Sequence, residues 1–354
     1  MLFDPLKIRE ITLKNRIFVS PMCQYSCEDG FANDWHFVHL GCRAVGGAAL
    51  VMTEATAVEA SGRISPQDLG LWKDEHIAPL ARITGFIKSQ GAVPGIQLAH
   101  SGRKGSTFRP WEGEGAVDES KGGWRTVFAP SAIPFSANYL VPEALSAERI
   151  AGITSYFVEA AKRALKAGYE VIEVHAAHGY LLDEFLSPAA NKRTDKYGGS
   201  FENRIRMLME TVRGIRGVWP KQLPLFVRIS ATDWMGEQGW DEKDSVELAR
   251  ILKNEEVDLI DCSSGGMVPD VKIPVGPGYQ VRFAERIRKE TGILTSCVGM
   301  ITSPAQADTI LRTGQADAIV IGRQFLRDPY WALHAAAELK EKVNWPSQYH
   351  RVAV

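Results

Sequence analysis

Two histidines and a tyrosine stand close together at His175, His178 and Tyr180, directly after the apolar, β-branched residues 171–174. Such a run predicts a buried strand, so the three polar side chains fall where the strand gives way to a loop. One interpretation is a hydrogen-bonded cap over a barrel core, because strand ends also collect structural polar groups. Another is a pair of donors for an oxygen that gains negative charge, with the tyrosine as a proton source.

A metal site is the third interpretation, since His175 and His178 together offer two imidazole nitrogens. Catalytic zinc requires a third ligand and a general base, and no His-Glu-x-x-His motif occurs in the chain. We therefore expect no metal at these residues.

Short apolar runs alternate with longer amphipathic runs from one end of the chain to the other. Strands are predicted over residues 16–19, 49–53, 93–97, 171–174, 225–229, 259–261, 294–298 and 318–321. Helices are predicted over residues 35–45, 77–89, 147–167, 202–218, 243–253, 280–290, 304–312 and 330–341, with Ser146 and Ser303 as N-caps. Eight strand-helix units of this kind predict an α/β fold, a (β/α)8 TIM barrel that forms a single domain over residues 1–343.

Two segments fall outside the repeat. Residues 101–145 are rich in Gly, Pro and Trp and follow the third strand, which predicts a long excursion over the barrel top, with a small hairpin in it. Residues 344–354 lose helical periodicity and form a C-terminal tail that could dock on a neighbouring subunit.

Composition narrows the classes of partner. The 354 residues carry 41 Lys and Arg against 42 Asp and Glu, a net charge of −1, which gives no electrostatic reason to expect nucleic acid or an anionic membrane surface. No apolar run reaches the ~18 residues that span a bilayer. The first residues also lack the basic stretch followed by an apolar stretch that is typical of a signal peptide. Five cysteines without a Cys-x-x-Cys pair indicate reduced thiols. We expect a cytoplasmic protein.

Glycines follow the seventh and eighth predicted strands at Gly299 and Gly322, and Arg323 stands beside the second of them. Active sites of such barrels lie at the C-terminal ends of the strands, and backbone N–H groups after strands 7 and 8 commonly bind phosphate there. The sequence therefore predicts a phosphate site at this edge of the barrel.

A buried cation and an amide add to this pattern. Arg228 lies inside the fifth strand, where a guanidinium is costly unless it faces an anion, and Gln97 ends the third strand. Arg228 could instead form a buried ion pair with Glu54, Glu173 or Asp261. Taken with the phosphate site, the two side chains suit a planar cofactor with a phosphate tail. Flavin mononucleotide (FMN) fits better than a nicotinamide, for which no Gly-x-Gly-x-x-Gly follows a strand.

A family resemblance is carried by motifs spread in order over nearly the whole chain. They are LKNR at 13–16, SPMCQY at 20–25, GIQLAHSGRK at 95–104, HAAHGY at 175–180, FLSP at 185–188, RTDKYGGS at 193–200 and GRQFLRDP at 322–329. With these motifs the chain resembles the Old Yellow Enzyme family of FMN-dependent ene-reductases, and within it the thermophilic-like branch of NADPH dehydrogenases and xenobiotic reductases.

The resemblance implies which residues bind the cofactor. Those along the flavin ring would be Ser20, Pro21, Met22, Cys23, Ala55, Gln97 and Arg228, with Cys23 tuning the flavin potential and Arg228 at the N1–C2 edge. Those at the phosphate end would be Gly299, Gly322 and Arg323.

The resemblance also implies the substrate site and the reaction. His175 and His178 would bind the carbonyl oxygen of the substrate, Tyr180 would donate a proton, and Tyr25 would make a second substrate contact. NADPH or NADH would reduce the flavin, and an α,β-unsaturated carbonyl compound, or a quinone or nitro compound, would reoxidise it by ping-pong kinetics. The alternatives are a metal-dependent barrel lyase or hydrolase that uses the histidine pair, and a non-catalytic flavin-binding protein.

The chain departs from the branch at its end. Members of the branch end in Arg-Gly-aromatic and use that Arg in a neighbouring subunit's site, whereas here Arg351 is followed by Val-Ala-Val. The resemblance implies a homodimer or homotetramer, with Arg351 as a candidate substrate contact across the interface.

Overall fold

Eight parallel strands close into a ring in the computed structural model, which describes residues 1–353. In chain order the strands are β1 (Leu6–Ile8), β2 (Ile11–Leu13), β3 (Ile17–Val19), β4 (Leu50–Ala57), β5 (Val93–Ala99), β6 (Phe128–Ala129), β7 (Glu143–Ala144), β8 (Val171–Ala176), β9 (Leu225–Ser230), β10 (Leu259–Ser263), β11 (Leu294–Cys297) and β12 (Ala318–Ile321). The barrel runs β3-β4-β5-β8-β9-β10-β11-β12 and closes by pairing of β12 with β3. The predicted TIM barrel is confirmed.

Helices cover the outside of the ring. They are α1 (Asp34–Val45), α2 (Ile77–Ser89), α3 (Ala147–Lys166), α4 (Leu181–Leu186), α5 (Phe201–Arg204), α6 (Arg206–Arg216), α7 (Glu242–Asn254), α8 (Val281–Thr291), α9 (Pro304–Arg312), α10 (Arg323–Arg327) and α11 (Trp331–Leu339). Both predicted N-caps are confirmed: Ser146 accepts a hydrogen bond from the Arg149 N–H, and Ser303 accepts one from Gln306. None of the helices within residues 1–353 is long and apolar enough to cross a membrane.

The period of two along each strand sorts side chains between two environments. In β8, Val171, Glu173 and His175 face the barrel interior, whereas the residues between them pack in the layer between strands and helices. In β9 the inward positions are Phe226 and Arg228. The lower barrel is therefore apolar, and its polar residues lie towards the C-terminal ends of the strands.

Several predictions about the elements need correction. The helix predicted over residues 202–218 is two helices, α5 and α6, because Ile205, at ψ −12°, departs from regular α-helical geometry. On either side of it, Arg204 and Arg206 donate to the carbonyl oxygens of Leu186 and Lys196. The short helices α4 and α10 were not predicted. Neither was the antiparallel hairpin of β1 and β2, whose buried Leu6, Ile8 and Leu13 join the apolar cluster of the lower barrel.

The excursion over residues 101–145 contains an antiparallel bridge between Thr107 and Ala116, as a small hairpin requires, and a separate strand pair formed by β6 and β7. Phe128 pairs with Glu143 in parallel, so the chain between the two strands crosses over rather than turning back tightly. The tail folds on its own chain. A 3₁₀ turn, Ser347–Val352, brings the Tyr349 hydroxyl 3.2 Å from that of Tyr330, and Arg351 is exposed in this turn.

Candidate active site

A polar layer crosses the barrel where β5, β8, β9 and β10 approach their C-terminal ends. Gln97 is in register with Glu173 and donates a hydrogen bond of 2.7 Å to its carboxylate. Arg228 is in register with both His175 and Asp261, and its Nε lies 3.2 Å from Oδ2 of Asp261. Burial raises the pKa of the Glu173 carboxyl and that of the Asp261 carboxyl.

Arg228 forms the ion pair that was one of its two predicted roles, and Asp261 is the partner among the three candidate acids. The ion pair leaves part of the hydrogen-bonding capacity of the guanidinium unused. Nε has no hydrogen-bond partner among the described residues, and Nη1 donates to the Ser20 hydroxyl at 3.2 Å. The guanidinium also lines the cavity above the layer. It is thus positioned to bind an anionic or heteroatom-rich edge in addition to Asp261.

A cavity of about 350 Å³ opens between the ends of β11 and β12. Arg228 and Met22 line it, together with the predicted phosphate-site residues Gly299, Gly322 and Arg323. A Cβ added to Gly322 would meet only the side chains of Ser20 and Met22, both at 3.7 Å, so the glycine leaves a cradle between the strand ends. Gly299 adopts φ +131°, a conformation that favours glycine. These residues fit a cofactor that has a planar end and a phosphate tail.

Three other predicted ring contacts, Pro21, Cys23 and Ala55, do not line this cavity. Ala55 is buried at an irregularity in β4, directly opposite Gln97 of β5. Pro21 borders a small void inside the barrel with Glu173 and Asp261. Burial raises the pKa of the Cys23 thiol well above its usual value, and the nearby carboxylates add to the shift, so Cys23 is a neutral thiol at pH 7.

His175, His178 and Tyr180 meet at the mouth of the barrel. The His175 ring centroid lies 5.2 Å from that of His178 and 5.0 Å from that of Tyr180, edge to face in both cases. His178 is fixed by a 2.7 Å contact between Nε2 and the Ser263 hydroxyl, whereas Nδ1 of His175 has no partner among the described residues. The sequence predicted this cluster, and the fold assembles it.

Burial lowers the pKa of both imidazoles well below the usual value, and the charge of Arg228 lowers it further. Both rings are therefore neutral at pH 7, and each has one N–H to donate. Burial also raises the pKa of the Tyr180 phenol well above its usual value, so this group holds its proton. Two neutral donors beside a protonated phenol suit an oxygen that becomes negative and a carbon that becomes basic.

Two predicted substrate contacts lie further out. Tyr25 is half-buried at φ +49°, and its ring meets that of Trp111 edge to face at 5.8 Å. Arg109, which belongs to the excursion, donates a 3.5 Å hydrogen bond to the backbone carbonyl of Tyr25 and so holds the Tyr25 backbone at the rim. Arg351 makes no hydrogen bond or ion pair with residues of the barrel mouth in the described chain, and its predicted reach into a neighbouring subunit stays a prediction.

The metal interpretation has no further support in residues 1–353, where no three His, Cys, Asp or Glu side chains converge as potential ligands.

Comparison with known proteins identifies the family. The family model described as the NADH:flavin oxidoreductase / NADH oxidase family matches residues 1–342. The chain is 49% identical to a NADPH dehydrogenase of Geobacillus sp. (strain WCH70), covering 99% of this chain and 98% of the relative. The chain belongs to this flavin oxidoreductase family, that of Old Yellow Enzyme.

Two solved structures agree with the family assignment. The Old Yellow Enzyme homologue of Zymomonas mobilis superposes with a TM-score of 0.78 at 26% identity, covering 97% of this chain and 94% of the homologue. A 2-naphthoyl-CoA reductase superposes with a TM-score of 0.86 at 26% identity over 96% of this chain, but the chain spans only 52% of that protein's length. As a member of the Old Yellow Enzyme family, the protein is a flavin-dependent NAD(P)H oxidoreductase.

Three residues at the site of this flavin oxidoreductase had no role assigned from the sequence. Lys104, after β5, donates hydrogen bonds from Nζ to the carbonyl oxygens of His178 and Gly266 at 2.8 and 2.5 Å. Ser263 orients His178 from the end of β10. Asp68 lies buried in the loop after β4, in a small cavity bordered by Tyr180. The position of each at or after a strand end was the available signal, but the sequence does not indicate which strand ends face one another.

Proposed function

We propose that the protein is an FMN-containing, NAD(P)H-dependent reductase of the C=C bond in α,β-unsaturated carbonyl compounds, with quinones and nitro compounds as further substrate classes. One observation carries the proposal: two neutral imidazoles and a protonated phenol lie about 5 Å apart, ring to ring, beside a cavity fitted to a planar, phosphate-bearing cofactor. The Geobacillus relative bears the name NADPH dehydrogenase, which favours NADPH as the reductant.

The cofactor is held by residues from both sides of the barrel mouth. Arg228 and Gln97 would hold the ring, and Gly322 and Arg323 would hold the phosphate. Gly322 and Arg323 line the cavity together with Arg228, which supports a cofactor with a ring and one phosphate tail, as in FMN. The bound cofactor would supply the hydride acceptor and donor that link oxidation of NAD(P)H to reduction of the substrate.

The substrate is oriented by its carbonyl oxygen. His175 and His178 each donate one N–H to this oxygen, and their neutral state means that the bound substrate is not protonated in advance. When the β-carbon of the substrate gains a hydride, negative charge collects on the same oxygen. Two fixed donors in a buried site stabilise that enolate more than they stabilise the neutral carbonyl, so they lower the barrier.

Tyr180 completes the reaction. Its phenol keeps its proton at pH 7 because burial disfavours the phenolate, and it gives that proton to the α-carbon once the enolate forms. NAD(P)H and the enone share the one mouth beside these residues, so each must leave before the other binds, and the kinetics are ping-pong.

The test uses the protein as purified. It should be yellow and release FMN on denaturation, anaerobic NADPH should bleach it, and 2-cyclohexenone should restore the colour while cyclohexanone forms. Tyr180→Phe should be bleached normally but recolour slowly. A colourless protein that does not bind added FMN would refute the cofactor assignment. A flavin that NADPH does not bleach would favour the non-catalytic flavin-binding alternative.

A further inference from the structure

A second, much smaller cavity lies behind Tyr180, away from the main one. Its volume is about 10 Å³, close to the ~10–15 Å³ that one ordered water requires. Three strand ends form it, those of β4, β5 and β8. The cavity exists because several of its lining residues are small, namely Ala55, Ala57, Gly62 and Ala99.

Two polar atoms of the residues that line this cavity lack hydrogen-bond partners among the described residues. Asp68 is 2% exposed and Ser101 is 1% exposed, yet Oδ1 of Asp68 and the hydroxyl of Ser101 have no hydrogen-bond partner among the described residues. Buried groups of this kind are usually satisfied by protein or by ordered water. Asp68, Ser101 and Tyr180 all line this cavity, so their polar groups can serve as partners of a water there, and two to four polar partners are what a buried water requires.

We propose that Asp68 resupplies the proton that Tyr180 donates, through one water held in this cavity by Ser101. The proposal rests on the assignment of Tyr180 as the proton donor. Its step balances without a further reactant. The Tyr180 O–H bond breaks as the α-carbon of the substrate gains its C–H bond, the phenolate takes a proton from the water, and the water takes the carboxyl proton of Asp68. Asp68 then recovers a proton from solvent between turnovers.

The protonation state of Asp68 agrees with this role. Burial raises the pKa of its carboxyl to about 8, and the neighbouring Glu54 adds to the shift, so Asp68 carries a proton at pH 7. Its other oxygen is fixed, because Oδ2 accepts a 2.6 Å hydrogen bond from the Ile64 N–H. The ionisable groups whose charges interact with Asp68 are Cys23, Tyr25, Cys27, Glu54, Arg63 and Tyr180.

The decisive variant is Asp68→Asn, since an amide oxygen can still accept from Ile64 while the acidic proton is lost. At pH 7 the reoxidation of reduced enzyme by 2-cyclohexenone should slow about tenfold, whereas bleaching by NADPH should change less than about twofold. Rates in mixed H₂O and D₂O should curve with deuterium content in the wild type, because several protons move together, and should become linear in the variant. The infrared spectrum should lose the band of one neutral carboxylic acid, while bands from other buried acids with a raised pKa, such as Glu173, remain. Asp270→Asn, at an exposed position, is the matched control and should change nothing.

Ser101→Ala tests the other wall and keeps the proposal testable should Asp68→Asn not fold; it should also straighten the deuterium plot. Tyr180→Phe separates the two hypotheses. If Tyr180→Phe slows reoxidation while Asp68→Asn and Ser101→Ala match the wild type in rate and deuterium plot, the relay is wrong and the proposed function stands. If Tyr180→Phe reoxidises as fast as the wild type, the assigned proton donor is wrong, and the relay falls with it.

Discussion

The ammonium group of Lys104 donates a 2.8 Å hydrogen bond to the backbone carbonyl of His178, a residue held in the left-handed conformation at φ +62°. The same ammonium group reaches the carbonyl of Gly266, so one side chain ties the loop after β8 to the loop after β10. The loops already approach closely, since a Cβ on Gly179 would lie 2.2 Å from the Gly266 oxygen. Lys104 therefore fixes the backbone from which one of the two imidazoles projects.

Replacing this lysine should misplace His178. We expect Lys104→Met to lower kcat for 2-cyclohexenone by roughly 10- to 100-fold, because small displacements of a positioning group cost that much. Bleaching of the flavin by NADPH should change far less. Lys192→Met is the matched control, since that exposed lysine donates to the carbonyl of Pro188, only four residues away. Equal losses in both half-reactions would argue against a role specific to the imidazole.

The pH dependence of Lys104 gives a separate measurement. Burial lowers the pKa of its ammonium group to about 8, so the cation is present below that pH and is lost as the pH rises through it. Charge-assisted hydrogen bonds are about twice as strong as neutral ones, so the wild-type rate of enone reduction should fall above pH 8. In Lys104→Met this part of the alkaline decline should be absent. A profile as steep as that of the wild type would contradict the assignment.

Arg228→Met removes the cation from the polar layer of the barrel. We expect FMN retention to weaken by roughly 10- to 100-fold, the effect of losing one charge-assisted contact. Stability should fall too, because Asp261 loses its buried partner. The double variant with Asp261→Asn separates the effects: thermal unfolding should recover, whereas flavin release on dilution should not. Recovery of both would assign Arg228 a purely structural role.

His175→Ala addresses the enolate donors. In other enzymes, removal of one such donor lowers kcat by roughly 100- to 1000-fold. We expect the rate at which 2-cyclohexenone reoxidises the reduced enzyme to fall by a factor of that order. Reduction by NADPH, which places no enolate oxygen at the site, should change much less. Stopped-flow measurement gives the rates of the two half-reactions separately. Similar decreases in both rates would show that His175 is not a donor to the enolate oxygen.

Ser146→Ala tests the fold apart from the chemistry. The hydroxyl caps α3 through the Arg149 N–H, so its loss should lower the free energy of unfolding by about 1 kcal/mol in urea titration. Enone reduction should stay at the wild-type rate, because α3 lies outside the barrel. An unchanged unfolding midpoint would show that water replaces the cap without cost.

The sequence by itself determined the architecture and most of the site. The recurrence of short apolar runs and longer amphipathic runs predicted the eight strand-helix units, because strands of a parallel barrel are buried on both faces and each helix on only one. A guanidinium within such a strand, Arg228, and polar residues at a strand end, such as His175, therefore stood out, and so did the glycines after the last two strands. The helix caps at Ser146 and Ser303 were predictable as well, because a capping serine bonds to the backbone of the first turn of its own helix and so depends only on neighbouring residues.

Only the tertiary structure decided which strand ends meet across the barrel. Lys104 and His178 are 74 residues apart in the chain, and neither residue type indicates that one holds the backbone of the other. Asp261, rather than Glu54 or Glu173, pairs with Arg228 because the register of β9 and β10 places these two residues side by side. Asp68 reaches the cavity behind Tyr180 from a loop without periodicity. Contacts of this kind depend on strand register and loop path, which are set by the packing of the closed barrel as a whole.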